Sequence, residues 1–208
     1  MNPDGSTRLL LVRHGESTWN ADGRWQGQAD PPLSALGEQQ AADAAVHVDA
    51  VDAVWSSDLE RARRTAEIIA HARGVDVRID PRLRERDAGE WEGYTRAEIE
   101  ERWPGALESS RRPAGYETDD ALVARVLVAI DDIGDAHERG TVLVVVHGGV
   151  VRALERHFGE DRHGLLPNLG GRWLARGDGA VDGDGARWSL GGQVLLLEDV
   201  AVTTPEQI

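Results

Sequence analysis

The sequence predicts an α/β protein: a three-layer α/β/α sandwich around a largely parallel central sheet. Three observations predict it. Short apolar runs of strand length alternate with longer stretches of helical periodicity from residue 9 to residue 158. The runs Leu9–Val12 and Thr141–Val146 are almost continuously apolar, as strands buried on both faces must be. Both then stop at a histidine followed by a glycine, His14-Gly15 and His147-Gly148. That abrupt change of polarity marks a carboxyl strand end, where ligands bind in open α/β sheets.

The elements follow in order. After the first strand, residues 21–33 are rich in Gly, Asp and Pro and read as a loop. Ser34 is a suitable cap for a helix over 35–48, with Leu36, Ala41, Ala45 and Val48 on its apolar side. Val51–Trp55 forms a second strand. Ser56, Ser57 and Asp58 then offer caps for a helix that runs to Arg73 and stops at Gly74. Val75–Ile79 alternates as a third strand, ended by Pro81.

Residues 82–93 form a charged loop, 95–103 a short helix, and 104–117 a Pro/Gly-containing stretch expected to be mobile. A helix over 119–137 carries the stripe Leu122, Val126, Ala129, Ile130 and Ile133. Another follows the strand Thr141–Val146, over 150–158. Two or three strands close the chain, near 171–175, 186–190 and 193–198, with Asp182–Gly185 read as a turn between them. No repeat or linker interrupts this pattern. The 208 residues read as one domain, with 1–7 and 201–208 as flexible tails.

Composition narrows the function. There is no cysteine, hence no disulfide, thiolate ligand or cysteine nucleophile. All 23 basic side chains are arginine, which removes the lysine of phosphate-loop NTPases, of kinases and of Schiff-base enzymes. A net charge of -14 disfavours nucleic acid and anionic membrane as partners. No run approaches the ~20 apolar residues of a membrane span, and no secretory signal is evident. A cytoplasmic location is expected. Monomer and homodimer both stay open.

If the two histidine-terminated strands are parallel neighbours, both imidazoles project into one crevice. The strand at 51–55 feeds a helix whose first turns hold Arg61, Arg63 and Arg64. A helix N-terminus attracts anions through its free N–H groups and dipole. Arginine adds a planar fork that fits phosphate oxygens. Such a set describes a pocket for a phosphoryl group, with no metal-ligand spacing and no cofactor motif among its members.

At this point the motifs become specific. LVRHGESTWN at 11–20, SSDLERARRTA at 56–66, LRERDAGEWEG at 83–93 and VVVHGG at 144–149 stand in one order. Together with the loop 24–37, RWQGQADPPLSALG, this order resembles the histidine phosphatase superfamily, the phosphoglycerate-mutase-like fold. The resemblance implies that His14 is the nucleophile that becomes phosphohistidine. It implies that Arg13 and Arg61 clamp the phosphoryl group, with a cationic His147 beside it. Glu85 matches the general acid and base. Asn20, Gln26, Gly27 and the amide of Gly148 would line the pocket.

Competitors exist for two roles. Arg63 and Arg64 could stand in for Arg61, although the motif selects Arg61. Glu16, Asp87, Glu90 and Glu92 crowd the carboxylates near Glu85. Trp91 reads as a packing residue, and His47, His71, His137, His157 and His163 as surface or capping residues. Between residues 94 and 118 the chain is short and lysine-free, and its Arg96, Arg102, Arg111 and Arg112 are accompanied by five glutamates. Hydrolysis of a small phosphorylated metabolite, a sugar phosphate or a phosphoglycerate derivative, is therefore favoured over a cofactor-dependent phosphoglycerate mutase. Arg111 and Arg112 keep the mutase as the alternative. A non-catalytic phospho-ligand module would be expected to have lost His14, Glu85 or His147, and all three are present. Pro113–Thr118 resembles a lid element of the family, with Tyr116 where glycine is expected.

Overall fold

A computed structural model of the chain describes residues 5–109, 111–160, 166–177 and 187–197. Six strands form one sheet in the order β3-β2-β4-β1-β5-β6. These are β1 (Arg8–Arg13), β2 (Ala53–Ser56), β3 (Val77–Ile79), β4 (Thr141–Val146), β5 (Gly170–Arg176) and β6 (Trp188–Leu195). The first four are mutually parallel, and β5 and β6 continue the sheet antiparallel. Among the described residues the α-helices are α1 (Thr18–Ala21), α2 (Ala35–His47), α3 (Glu60–Arg73), α4 (Arg96–Arg102), α5 (Asp119–Ala136) and α6 (Gly148–His157).

The three layers follow from the period-two direction of strand side chains. Leu9 and Leu11 of β1 with Val142, Val144 and Val146 of β4 face one core, against α5 and α6. Leu10 and Val12 with Leu143 and Val145 face the other, against α2 and α3. Because both faces are covered, neither strand can alternate with polar residues. A third, smaller cluster of Trp25, Ala88, Trp91, Ile99 and Ala106 sits under the loops that follow β1 and β3.

β1 and β4 pair in parallel with Arg13 opposite Val146, so His14 and His147 leave the sheet side by side. β2 pairs on the other side of β4, which brings Ser57 to the same edge. The sheet therefore gathers at one rim His14, Ser57 and His147, which are 43 to 133 residues apart in sequence.

Several details differ from the expectation. Ser56–Asp58 do not cap α3: its N-cap is Leu59, without a side-chain bond. Asp30 Oδ1 takes the Glu60 N–H at 2.6 Å instead, and Ser57 is thereby free to serve His147. Gly74 does stop α3, at φ 67°. β3 is shorter than foreseen, and α6 begins at Gly148, two residues early, directly after the strand. The late segments near 186–190 and 193–198 are one strand, β6, across their described residues. Residue 7 is no tail: Thr7 is buried, with its carbonyl and hydroxyl accepting from the Arg176 and Arg139 amides. The segment 201–208, His163 and Asp182–Gly185 lie outside the described residues. Among the described residues, no helix is long and apolar enough to cross a membrane.

Candidate active site

The loop after β1 is built to hold His14 still. Its amide donates to Val146 O at 3.0 Å, and its carbonyl accepts from Asn168 Nδ2 at 2.8 Å. Gly15 follows because Gly37 Cα and carbonyl pack against it: a Cβ there would lie 2.6 Å from Gly37 O. The Gly15 amide donates to Thr65 Oγ1 of α3 at 3.1 Å. Nδ1 of His14 lies 2.6 Å from the Gly15 carbonyl, which can only accept. Nδ1 therefore carries the proton, and Nε2 presents a lone pair.

His147 stands beside it, ring centroids 5.2 Å apart and edge-on at 62°. Its Nε2 is 2.7 Å from the Ser57 hydroxyl, and its Nδ1 is buried with no hydrogen-bond partner. Burial holds both imidazoles well below the usual histidine range, reinforced by the guanidiniums of Arg61 and Arg13. For His14 this matches a nucleophile. For His147, burial and the neighbouring guanidiniums disfavour protonation, so the cationic ring expected beside a phosphoryl group would draw on that group's negative charge.

Both arginines are buried. Arg61 gives Nη1 to Ala29 O and Nη2 to Gly27 O, each at 2.8 Å, while its Nε has no partner. Arg13 gives Nη1 to Leu166 O at 2.5 Å, and its Nε is likewise unpartnered. Burial brings each guanidinium down to about 10, with the Glu85 charge pulling the other way. Each remains cationic at neutral pH. Unused, buried N–H groups on fixed forks are what an incoming phosphoryl oxygen would take.

Glu85 enters from the loop after β3. Its Oε1 accepts from the Arg86 amide at 2.7 Å and its Oε2 from the Gly149 amide at 3.0 Å. The rival carboxylates are engaged elsewhere. Glu16 accepts from Ser34 Oγ, Asp87 from the Gly89 amide and Glu92 from the Gln28 amide, while Glu90 is exposed. Arg63 pairs with Glu60 and Glu67, and Arg64 with Glu38, away from the pocket.

The remaining expected residues divide. Asn20 is fully buried; its Oδ1 accepts from the Ser17 amide and its Nδ2 is unpartnered. Gln26 is tied through Oε1 to the Ser17 hydroxyl at 2.7 Å. Gly27 acts through its carbonyl on Arg61, at φ 53°. Gly148 opens α6 beside the Arg13 side chain. Trp91 is a packing residue, edge-on to Trp25. Arg111 and Arg112 border a separate groove of about 380 Å³ with Trp91 and Trp103, where Arg112 lies over the Trp91 and Tyr116 rings. Among the described residues there is no cluster of His, Asp and Glu that could hold a metal ion. Sequence reasoning missed Ser57, Thr65, Asn168, Gly149 and Arg125. Ser57, Thr65 and Gly149 lay inside motifs that could have drawn attention to them.

A family model described as the histidine phosphatase superfamily, branch 1, matches residues 9–170. The chain belongs to this superfamily. Among histidine phosphatases of known sequence, a probable phosphoglycerate mutase of Escherichia coli is 43% identical over 150 residues, covering 68% of this chain and 69% of that one. A phosphoglycerate mutase-like protein of Arabidopsis thaliana is 40% identical over 157 residues, covering 70% and 68%. Among solved structures, a mycobacterial glucosyl-3-phosphoglycerate phosphatase in complex with VO3 superposes with a TM-score of 0.77 at 32% identity, covering 88% of this chain and 96% of that one. The superfamily thus contains likenesses of both kinds, phosphatase and mutase.

Proposed function

We propose that this histidine phosphatase hydrolyses a small phosphorylated metabolite of the cytoplasm through a phosphohistidine on His14, without a metal ion. The observation that carries the reading is the His14 ring. Its Nδ1 proton is committed to the Gly15 carbonyl, and burial with two guanidiniums keeps the ring neutral.

In the first step, Nε2 of His14 attacks phosphorus, the P–O ester bond breaks, and the leaving alkoxide takes a proton from Glu85. In the second, Glu85 takes a proton from water as that water attacks phosphorus. The P–N bond then breaks, returning neutral His14 and inorganic phosphate. Arg13, Arg61 and His147 would meet the negative charge that develops on the equatorial oxygens; their burial and the unpartnered Nε atoms of both arginines support this role. Two buried cations supply the positive charge that a metal contributes in other phosphatases.

The names of the Escherichia coli and Arabidopsis relatives favour a second reading, phosphoglycerate mutation, in which the phosphohistidine returns its group to a second hydroxyl. Against it, Arg111 donates Nε to Ser109 Oγ and Nη2 to the Pro104 carbonyl, and the 94–118 segment has no lysine.

The test is hydrolysis of 4-nitrophenyl phosphate and of sugar phosphates in excess chelator, with the phosphoenzyme trapped by acid-free denaturation. Chelator-resistant turnover and a phosphohistidine that both vanish in His14→Ala are expected. Turnover surviving in His14→Ala overturns the nucleophile. Phosphate transfer between hydroxyls of 3-phosphoglycerate, dependent on bisphosphoglycerate and exceeding hydrolysis, overturns the phosphatase reading.

A further inference from the structure

We propose that Arg125 of α5 is the positioning residue that sets Glu85 for proton transfer, an inference that rests on the role of Glu85 given above. Arg125 cannot be a phosphate ligand, because its fork is already spent. Nη1 donates to the carbonyls of Arg82 and Arg84 at 2.7 and 2.8 Å. Nη2 donates to the Glu85 carbonyl at 3.0 Å and to Glu117 Oε2 at 2.8 Å, and Nε to Glu117 Oε1 at 2.7 Å. Five bonds exhaust the five N–H donors of a guanidinium.

Three of those bonds hold backbone carbonyls within the four residues ending at Glu85. A loop has no ladder of its own to fix these groups, so a side chain from a core-packed helix does so. Glu117, held by the bidentate pair, extends the clamp downstream. Its Oε2 also takes the Asp87 amide at 3.3 Å, its amide donates to the Asp87 carbonyl, and its carbonyl accepts from Arg86 Nη1. The loop is thereby gripped on both sides of Glu85, and the carboxylate meets the Gly149 amide at the start of α6. Only arginine offers a planar fork that can reach three carbonyls and a carboxylate at once. The same cation adds to the field that keeps His147 neutral.

A proton donor matters most when the leaving group is a poor one. The experiment therefore compares kcat/KM for 4-nitrophenyl phosphate, whose phenolate leaves unaided, with that for an unactivated alkyl phosphate, β-glycerophosphate. Wild type, Arg125→Met, Glu117→Gln and Glu85→Gln are measured side by side, with the folded fraction taken from circular dichroism. Arg125→Met is expected to lose about tenfold or more on the alkyl ester beyond its loss on the aryl ester. Glu117→Gln, which leaves Arg125 in place, should show the same bias more weakly, and it carries the test should Arg125→Met not fold. Equal losses on both esters, the mark of a merely structural residue, overturn the inference. A Glu85→Gln enzyme with no leaving-group bias overturns the role of Glu85 itself, and that outcome is distinguishable from failure of the clamp alone.

Discussion

Replacing Gly149 by alanine should separate catalysis from stability in this protein. Gly149 occupies the first turn of α6, and a Cβ built on it would lie 2.3 Å from Glu85 Oε1 and 3.0 Å from its Cδ. Ordinary contact begins near 3.4 Å, so the carboxylate must retreat by about 1 Å. The obstacle is the far end of a flexible side chain, which can swing aside without disturbing the backbone. Gly149 has helical backbone, so alanine also gains up to about 1 kcal/mol of helix propensity. Stability should stay level or rise. Activity should not: a displacement of about 1 Å in a catalytic group costs on the order of 100-fold. The assay pairs a thermal melt with kcat/KM for an alkyl phosphate. A Gly149→Ala enzyme that melts at or above wild type yet is slowed by roughly two orders of magnitude meets the expectation. One that melts normally and retains activity within about threefold would refute the placement of Glu85 against this helix.

Two further outcomes can be measured on stability alone. His14 and His147 have folded values well below 6.5, their ordinary value, so the unfolded chain binds more protons than the folded one as pH drops below it. Their contribution is complete above that pH and lost as pH falls through and below it. Between pH 7.5 and 5.5 each should take away roughly 1 kcal/mol. Urea midpoints for wild type and His147→Asn should show a pH dependence shallower in the variant by about that amount, and identical slopes would contradict a neutral buried His147. Gly37→Ala should be strongly destabilising, because its Cβ would sit 1.9 Å from the Glu16 carbonyl oxygen, and the atoms it meets are backbone with nothing flexible to yield. A loss of ~3 kcal/mol or more is expected, against little change in Gly192→Ala, where the space is open. Equal melting temperatures for these two variants would show that the loop after β1 does not rest on α2.

Much of the site was legible because its residues sit at places where local rules are strict. A buried parallel strand must be apolar on both faces, so Leu9–Val12 and Val142–Val146 announce themselves, and so does the polarity change at Arg13-His14 and at His147. Gly74 and Ser34 mark helix ends for similarly local reasons. The residues proposed to hold phosphate come from four ordered motifs. Three-dimensional placement alone decided the rest. That Arg13 and Val146 stand opposite each other is a matter of strand register, which juxtaposes positions 133 residues apart and cannot be read from either segment. The low basicity of His147 depends on how completely water is excluded and on cations contributed by three other elements, and a sequence assigns no such burial to one imidazole. Arg125 lies at the edge of an ordinary amphipathic stripe, where an arginine reads as a solvated charge. Its function depends on which carbonyls the folded loop turns toward it. Sequence determined the chemistry available to this protein through rules that act over a few residues. The protonation states and the aim of each group belong to the tertiary structure, because desolvation and long-range hydrogen bonds exist only once distant segments meet.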